Sequence, residues 1–228
     1  GCWPVGAVLR SGGLVFAGSA EAIPGALETS RGLGFVTLFE ACPFRRIRIL
    51  DEVSEMGWEM MPGPVLGGGE GGSASLVILA SKRGPDGVWQ GRVHFVPLSG
   101  PDGIFPAGEI VTCSLPGAPI GAVAIPGRNQ AAVLCRTALG SGALLHLIDA
   151  ASRGVVTNAA EIEGLGARRL GSEPAALALS ADGAYLLALT TGYALDRPSG
   201  SAVTALHAWV LPELRPLGKP LELPGAAG

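Results

Sequence analysis

One short pattern occurs four times along this chain: an apolar, strand-like segment with a single polar residue near its middle. The polar residue is Thr37 in the first segment and a histidine, His94, His146 or His207, in the others. These positions lie 57, 52 and 61 residues apart, and the three histidines are all that the chain contains. Self-similarity at a near-constant spacing predicts a repeat architecture, in which each repeat forms one supersecondary unit.

The segments around this pattern repeat as well. A second apolar segment precedes each polar position, and another β-like segment follows it. The preceding segments are 14–17, 76–79, 132–135 and 185–189, and the following ones are 46–50, 109–113, 154–157 and 220–223. A proline-led segment of small apolar residues opens three repeats, at Pro4, Pro119 and Pro174. The second repeat has a poorer match at 62–66, followed by a Gly-rich run of low strand propensity.

Composition decides between strands and helices. The 36 Gly and 18 Pro residues make up close to a quarter of the 228 positions, and at this density they interrupt helices every few residues. A hydrophobic content of 48% excludes an intrinsically disordered chain. We therefore predict an all-β protein with many tight turns, and helix over less than about 10% of the residues.

The arrangement of the strands follows from their apolar character. The strand-like segments lack the alternation of a sheet with one wet face, which indicates sheets covered on both faces. Four short strands per repeat, joined by turns, are typical of a β-propeller blade. We predict a β-propeller with four blades of four antiparallel strands, forming a single domain over 1–228. The predicted blades cover about 4–56, 57–117, 118–166 and 167–225.

Two stretches resemble blades of a known family. Residues 174–189, Pro-Ala-Ala-Leu-Ala-Leu-Ser-Ala-Asp-Gly-Ala-Tyr-Leu-Leu-Ala-Leu, are similar to the opening of a YVTN or WD40-like propeller blade. Residues 145–156, Leu-His-Leu-Ile-Asp-Ala-Ala-Ser-Arg-Gly-Val-Val, resemble its later Val-Ile-Asp segment. Trp209 stands at the WD tryptophan position, but Val210 replaces the expected aspartate, and the third repeat has Ile148-Asp149 there. The resemblance is sharpest over 118–225.

This resemblance implies a propeller, and it favours a partial one. Such propellers usually have about seven blades, so four repeats imply a part of a larger propeller. Open ends would leave two apolar blade faces exposed, which favours association. The family includes lactonases, dehydrogenases, surface proteins and scaffolds, so the fold does not define the function.

Charge and hydropathy narrow the kinds of partner. Sixteen Lys and Arg against nineteen Asp and Glu give a net charge of −3, and only 5% of residues are aromatic. This balance argues against nucleic-acid binding, which needs a positive excess or stacking platforms. No run of 18 uncharged apolar residues occurs, so we predict no transmembrane helix.

The four cysteines do not have the spacing of a zinc module. Cys113 and Cys135 lie in strand-like segments, and we expect both to be small buried residues. The sequence does not decide whether the chain forms one disulfide. Gly1-Cys2 has two interpretations: a cleavage site at which Cys2 is lipidated, or the edge of a shortened sequence. An apolar segment follows Cys2 at once, where a lipidated protein normally has a polar tether, so we favour the second. We expect a bacterial, secreted protein; the compartment stays open, with an extracytoplasmic location slightly favoured.

The sequence contains no recognised catalytic or metal-binding motif. Packed sheets lie about 10 Å apart, whereas metal–nitrogen bonds measure about 2 Å. One ion therefore cannot bridge histidines at equivalent positions of successive repeats. We expect instead that His94, His146 and His207 are buried on third strands, each with a hydrogen-bond partner. Asp86 and Asp182 each precede a glycine and are typical of tight turns, not of calcium sites. We predict neither a metal nor a cofactor.

The candidate binding residues lie in the loops between the second and third strands. They are Lys82, Arg83 and Asp86 in the second repeat and Asp196 and Arg197 in the fourth. Such loops share one rim of a propeller, where ligands commonly bind. If the register holds, the two sets face the same rim.

Catalysis has less support from the residues. The first strands, which would line a central channel, offer mostly Ala, Val, Leu, Gly and Pro, without a pair of acid–base groups. We therefore predict no catalytic residues and interpret the chain as a non-catalytic binding or scaffold propeller. Its rim loops would hold a protein or a small ligand, and the remaining blades of a longer chain are a further possible partner. The alternative is a lactonase-like or quinoprotein-like enzyme active at the central channel; a purely structural repeat module is a third.

Overall fold

The computed structural model of the chain consists of strands and turns, with no helix among the residues that it describes. Those residues are 5–8, 13–20, 33–41, 44–49, 57–67, 74–99, 105–139, 142–157, 161–162, 169–194, 202–211 and 213–223. Side-chain exposure is described over 57–67, 74–99, 107–139, 142–155, 173–192, 203–211 and 213–223. None of the described elements is a helix of the length and apolarity needed to cross a bilayer.

The described strands form four antiparallel sheets, one after another along the chain. The first sheet contains β1 (Val5–Val8), β2 (Gly13–Ala20), β3 (Leu33–Ala41) and β4 (Phe44–Ile49). The second contains β5 (Glu59–Gly67), β6 (Ala74–Arg83), β7 (Trp89–Ser99), β8 (Phe105–Pro106) and β9 (Val111–Leu115). The third contains β10 (Gly117–Ala124), β11 (Gln130–Thr137), β12 (Ala143–Asp149), β13 (Gly154–Thr157) and β14 (Glu161–Ile162). The fourth contains β15 (Arg169–Leu179), β16 (Tyr185–Ala194), β17 (Ala202–Val210), β18 (Arg215–Pro216) and β19 (Leu221–Leu223).

Within each sheet the first four strands are neighbours in chain order, and the fifth strand of the last three sheets pairs with the third strand. The prediction of an all-β chain built from consecutive antiparallel sheets is therefore confirmed. A closed ring, the number of blades and a single domain over 1–228 stay predictions.

The outer strand differs from the prediction of four strands per sheet. In the second, third and fourth sheets it is split into two short strands that pair with the same third strand. β8 ends at Pro106, which lacks an N–H, and Gly108, whose φ is +84°, lies between β8 and β9. Both interrupt a hydrogen-bonded ladder. In the first sheet β4 stays continuous, but its register shifts at Leu38 and Phe39.

The chain divides into two compact units. The first comprises Gly1–Lys82 and Gly91–Leu115, and the second comprises Arg83–Gln90 and Pro116–Gly228. In the first unit β5 packs against β2, and a core of β5, β6 and β7 side chains surrounds Trp58. In the second unit β15 packs against β10 and β11. Apolar residues of the third and fourth sheets form one core there.

The middle strands of two sheets are covered on both faces. Every residue of 74–80 in β6 and of 131–135 in β11 is buried. Unbroken burial along a strand means that side chains pointing to either face lie inside the protein. The prediction of sheets covered on both faces is therefore confirmed for the second and third sheets.

The third and fourth sheets repeat the same turn. The Ile125 N–H donates to the Gln130 carbonyl (2.8 Å), and 55 residues later the Ser180 N–H donates to the Tyr185 carbonyl (2.9 Å). The following strands are held alike, because Ala150 N–H donates to the Asn129 carbonyl and Leu211 N–H to the Ala184 carbonyl, both at 2.9 Å. These equivalent bonds show that the sequence repeat is also a repeat of backbone geometry.

The three histidines lie on third strands, as predicted. His94, His146 and His207 belong to β7, β12 and β17 and are 2%, 1% and 6% exposed. His94 Nδ1 is hydrogen-bonded to Thr112 Oγ1 (2.8 Å), and His207 Nε2 to Thr190 Oγ1 (3.0 Å). The prediction is wrong for His146, neither of whose ring nitrogens has a partner among the described residues. Directly opposite His146 on β11 lies Val133, which offers no polar side-chain atom.

Candidate functional site

The β6–β7 hairpin carries three of the predicted binding residues on a well-defined turn. The Gly84 N–H donates to the Val88 carbonyl (2.8 Å), and the Gly87 N–H donates to the Gly84 carbonyl (3.0 Å). Asp86 Oδ1 accepts the Val88 N–H (3.1 Å), an Asx-type bond that favours this turn. Gly87 has φ +80°, which glycine adopts without strain. Asp86 is exposed and has a structural role as well as a charge to present.

Lys82 and Arg83 reach different tryptophans, because successive side chains of a strand point to opposite faces. In the first unit, Lys82 Nζ lies 5.6 Å from the ring centroid of Trp58, and the Arg92 guanidinium carbon lies 4.3 Å from it. Trp58 is only 4% exposed. Cations this close to an indole are attracted by its ring electrons. The Lys82 side chain is thereby placed over the edge of the first unit's core.

In the second unit, four side chains from different parts of the chain form what we call the Trp89 cluster. The Arg83 guanidinium lies 5.9 Å from the Trp89 ring centroid, and that of Arg136 lies 5.2 Å from it. Arg136 is also paired with Glu173, with 2.7 Å between Nη2 and Oε2. The cluster thus links the β6–β7 hairpin, the end of β11 and the strand β15.

The backbone adds a second link between two hairpins. The Trp89 N–H donates to the carbonyl oxygen of Ala138 (2.7 Å), which lies in the loop between β11 and β12. The next residue, Leu139, is 82% exposed. The loops between the second and third strands of neighbouring sheets therefore meet within the second unit, with an apolar side chain at the tip of one and Arg83 on the other.

The predicted site residues are only partly placed by the structure. It describes Lys82, Arg83 and Asp86, whereas Asp196 and Arg197 lie outside the described residues. Sequence reasoning missed Trp89, Arg136, Glu173 and Leu139. A tryptophan directly after a polar turn was the one local signal available. Arg136 and Glu173 lie 37 residues apart in the chain, and no pattern in the sequence predicts their ion pair.

The described cysteines are thiols without a disulfide. Cys135 is fully buried on β11, and desolvation by burial raises its pKa strongly. The predicted burial is confirmed for Cys135 and wrong for Cys113 on β9, which is partly exposed. The burial that Cys113 does have raises its pKa as well. Cys2 and Cys42 lie outside the residues whose side chains are described. In the same described part of the chain, no three His, Cys, Asp or Glu side chains are grouped so that they could hold a metal ion.

Comparisons with known proteins leave the chain without an assigned family. No family model matches it, and no curated protein does. Among solved structures it is similar to a GH43 β-1,3-galactosidase determined with galactodeoxynojirimycin, with a TM-score of 0.47 and 11% identity. That similarity covers 93% of this chain and 73% of the other. At this level it supports no inference about activity, and the YVTN or WD40-like resemblance stays a prediction.

Proposed function

We propose that the chain is a non-catalytic binding or scaffold protein of the β-propeller type, which holds a protein partner at the Trp89 cluster. The propeller part of the proposal is supported by four consecutive antiparallel sheets and by the repeated turn geometry of the third and fourth. It is also supported by the two-sided burial of β6 and β11, which a stack of blades requires.

One observation carries the choice of the binding surface. Leu139 is 82% exposed, on a loop whose preceding residue is hydrogen-bonded to the backbone of Trp89. Leu139 adds an apolar contact beside Trp89 and Arg83, two residue types that commonly carry the energy of an interface. The positions of Arg83 and Arg136 around the indole add a cationic border to that apolar tip.

Charge indicates the chemistry of the partner. Arg136 already has Glu173 as its counter-ion. Among the described residues, Arg83 is without a carboxylate partner, and its Nε donates to the Gly87 carbonyl (3.3 Å). A partner segment with an apolar side chain for Leu139 and a carboxylate for Arg83 would satisfy both. Such a charged group on the rim of an interface mainly speeds association and selects the partner.

The test compares loop variants with a matched control. We expect Arg83→Glu, which repels the partner's carboxylate, and Leu139→Asp, which places a charge in the apolar contact, each to reduce capture of the partner from an extract about tenfold or more. Arg128→Glu is the control, because Arg128 is an exposed arginine of the same unit in the turn before β11, away from the β11–β12 loop. Equal capture by all three variants would contradict the proposal.

A separate experiment tests the enzyme alternative. A panel of lactone, ester and glycoside substrates is assayed with the wild-type chain and with variants in the first strands β10 and β15. Turnover that a first-strand substitution abolishes, and that Arg83→Glu leaves intact, would replace the binding proposal by the lactonase-like or quinoprotein-like one.

A further inference from the structure

The fourth sheet has one apolar face that the described residues leave uncovered. Its strands alternate between buried residues and partly or fully exposed ones, unlike β6 and β11. The uncovered face is formed by side chains of β15, β16 and β17 that pair across the sheet. They are Ala176, Leu189 and Leu206 in one row and Ala178, Leu187 and Ala208 in the next.

Two leucines at the edge of this face are exposed. Leu221 of β19 pairs with Leu206 and is 60% exposed. The Leu217 N–H donates to the Ala208 carbonyl (2.9 Å), which places Leu217 beside the second row, and it is 58% exposed. We call the two rows with these leucines the outer face of the fourth sheet. It contains no charged side chain, and an exposed apolar surface of this kind marks an interaction site.

The third sheet has the same face, and there it is covered. Its two central rows pair Leu134 with Leu145 and Ala132 with Leu147. The equivalent pairs of the fourth sheet are Leu189 with Leu206 and Leu187 with Ala208. Both sets contain three leucines and one alanine. In the third sheet these four residues are at most 8% exposed.

The element that covers this face of the third sheet shows which kind of element would fit the outer face of the fourth. The four residues of the third sheet share a core with Leu186, Ala188 and Trp209 of the fourth. The strand that lies against β10 and β11 is β15, the Ala-rich first strand of the next sheet. Leu177 and Leu179 are its residues that pack on this core. The complement of the outer face is therefore the first strand, with its neighbour, of another sheet built on this plan.

We infer that a second copy of this chain docks there, with its first sheet against the outer face of the fourth. The described residues of the chain itself leave the face open, so the occupant comes from outside them. The first sheet offers the matching sequence, because Pro4-Val-Gly-Ala-Val corresponds to Pro119-Ile-Gly-Ala-Val at the start of the third. In that correspondence Ala7 of β1 matches Ala122 of β10, and Ala122 matches Leu177 in the fourth sheet.

The contact joins two different surfaces, which determines how assembly proceeds. Each copy that docks still presents its own outer face, so association continues beyond the dimer unless a ring closes. The surface is independent of the Trp89 cluster, so either proposal can fail without the other.

Sedimentation velocity over about 1 to 200 µM, the range of weak protein association, tests the inference. We expect the average mass of the wild-type chain to rise above 23.0 kDa with concentration. Ala178→Lys and Leu221→Lys place a cation on the outer face at exposed positions, so both should fold. Each should raise the dissociation constant about tenfold or more, since a desolvated charge is left unpaired. Ala151→Lys, at an exposed turn, is the matched control and should associate like the wild type.

A mixing experiment identifies the second surface. Ala7→Lys and Ala178→Lys chains should each stay monomeric alone, but an equal mixture should form a dimer and stop there. The intact first sheet of one variant then meets the intact outer face of the other. A wild-type chain that stays at 23.0 kDa throughout would overturn the inference, because the face is then covered by this chain's own residues or by a different protein. Undiminished association of folded Ala178→Lys, or a mixture without dimer, would do so too.

Discussion

At the residue scale, His146 and His207 occupy equivalent positions in equally apolar surroundings but differ in their partners. His207 is hydrogen-bonded to Thr190 and stacks on Trp209, with 6.0 Å between ring centroids and 10° between ring planes. His146 is 1% exposed and has no hydrogen-bond partner among the described residues. An unpaired buried polar group costs about 1–3 kcal/mol, whereas its replacement by an apolar group of similar shape removes that cost.

We therefore expect His146→Leu to leave the free energy of unfolding unchanged or to raise it by up to about 2 kcal/mol. His207→Leu should lower it by about 1–2 kcal/mol, because Thr190 loses its partner and Trp209 loses its stacked ring. Urea unfolding followed by tryptophan fluorescence measures both. A marked loss of stability in His146→Leu would show that its imidazole has a partner.

At the scale of one element, β10 begins at a glycine that its neighbour strand requires. Gly117 has φ +151°, and a Cβ atom there would overlap the carbonyl oxygen of Arg136 on β11. Both features exclude a side chain at position 117. The backbone of β11 would have to move to make room for it, and residues other than glycine rarely adopt this φ angle. Gly121 of the same strand is different, because no atom lies within 4 Å of its Cβ position.

Gly117→Ala should lower the free energy of unfolding by more than about 2 kcal/mol, combining backbone strain with a backbone clash. Gly121→Ala is the matched control and should leave it unchanged or raise it by up to about 1 kcal/mol. Denaturant midpoints of the two variants and the wild type decide the matter. Equal midpoints for both variants would mean that the start of β10 is not held as described.

At the scale of the whole molecule, the buried histidines predict a pH dependence of stability. Desolvation by burial lowers the pKa of His146 and of His207. The unfolded chain protonates both near pH 6.5, the ordinary pKa of histidine. Between the lowered pKa values and about 6.5, the unfolded state binds more protons than the folded one, so stability falls as the pH decreases.

Urea midpoints measured from pH 8 to 4.5 should accordingly stay level above about pH 7.5 and decline below about 6.5. His146→Leu should reduce that decline. Carboxylates act in a lower range. Burial raises the pKa of Asp149, but hydrogen bonds from Ser152, Gln130 and Ala151 outweigh it and lower the pKa overall. Its contribution is lost only below the ordinary pKa of aspartate, about 3.9. A decline that begins only below pH 4 would contradict the role of the histidines.

The spacing of the histidines, the strand segments around them and the density of Gly and Pro were enough to predict consecutive antiparallel sheets and burial of all three imidazoles. These are local properties, since a strand's pairing partner lies one turn away in the chain. The residue-by-residue match of Leu134 to Leu189 was also present in the sequence. Its different burial was not, because a continuous apolar segment does not show whether a further layer covers each of its faces.

Only the tertiary structure could decide the candidate site. Arg83, Trp89, Arg136 and Glu173 come from three sheets, and the distances that join them depend on how those sheets pack. The same holds for His146, whose missing partner is a property of the strands beside it rather than of its own segment. The sequence by itself determined the kind of sheet and that such sheets follow one another along the chain. The packing between sheets, where side chains distant in the chain meet, decided which charges are paired, which turns are in contact and which apolar face stays open.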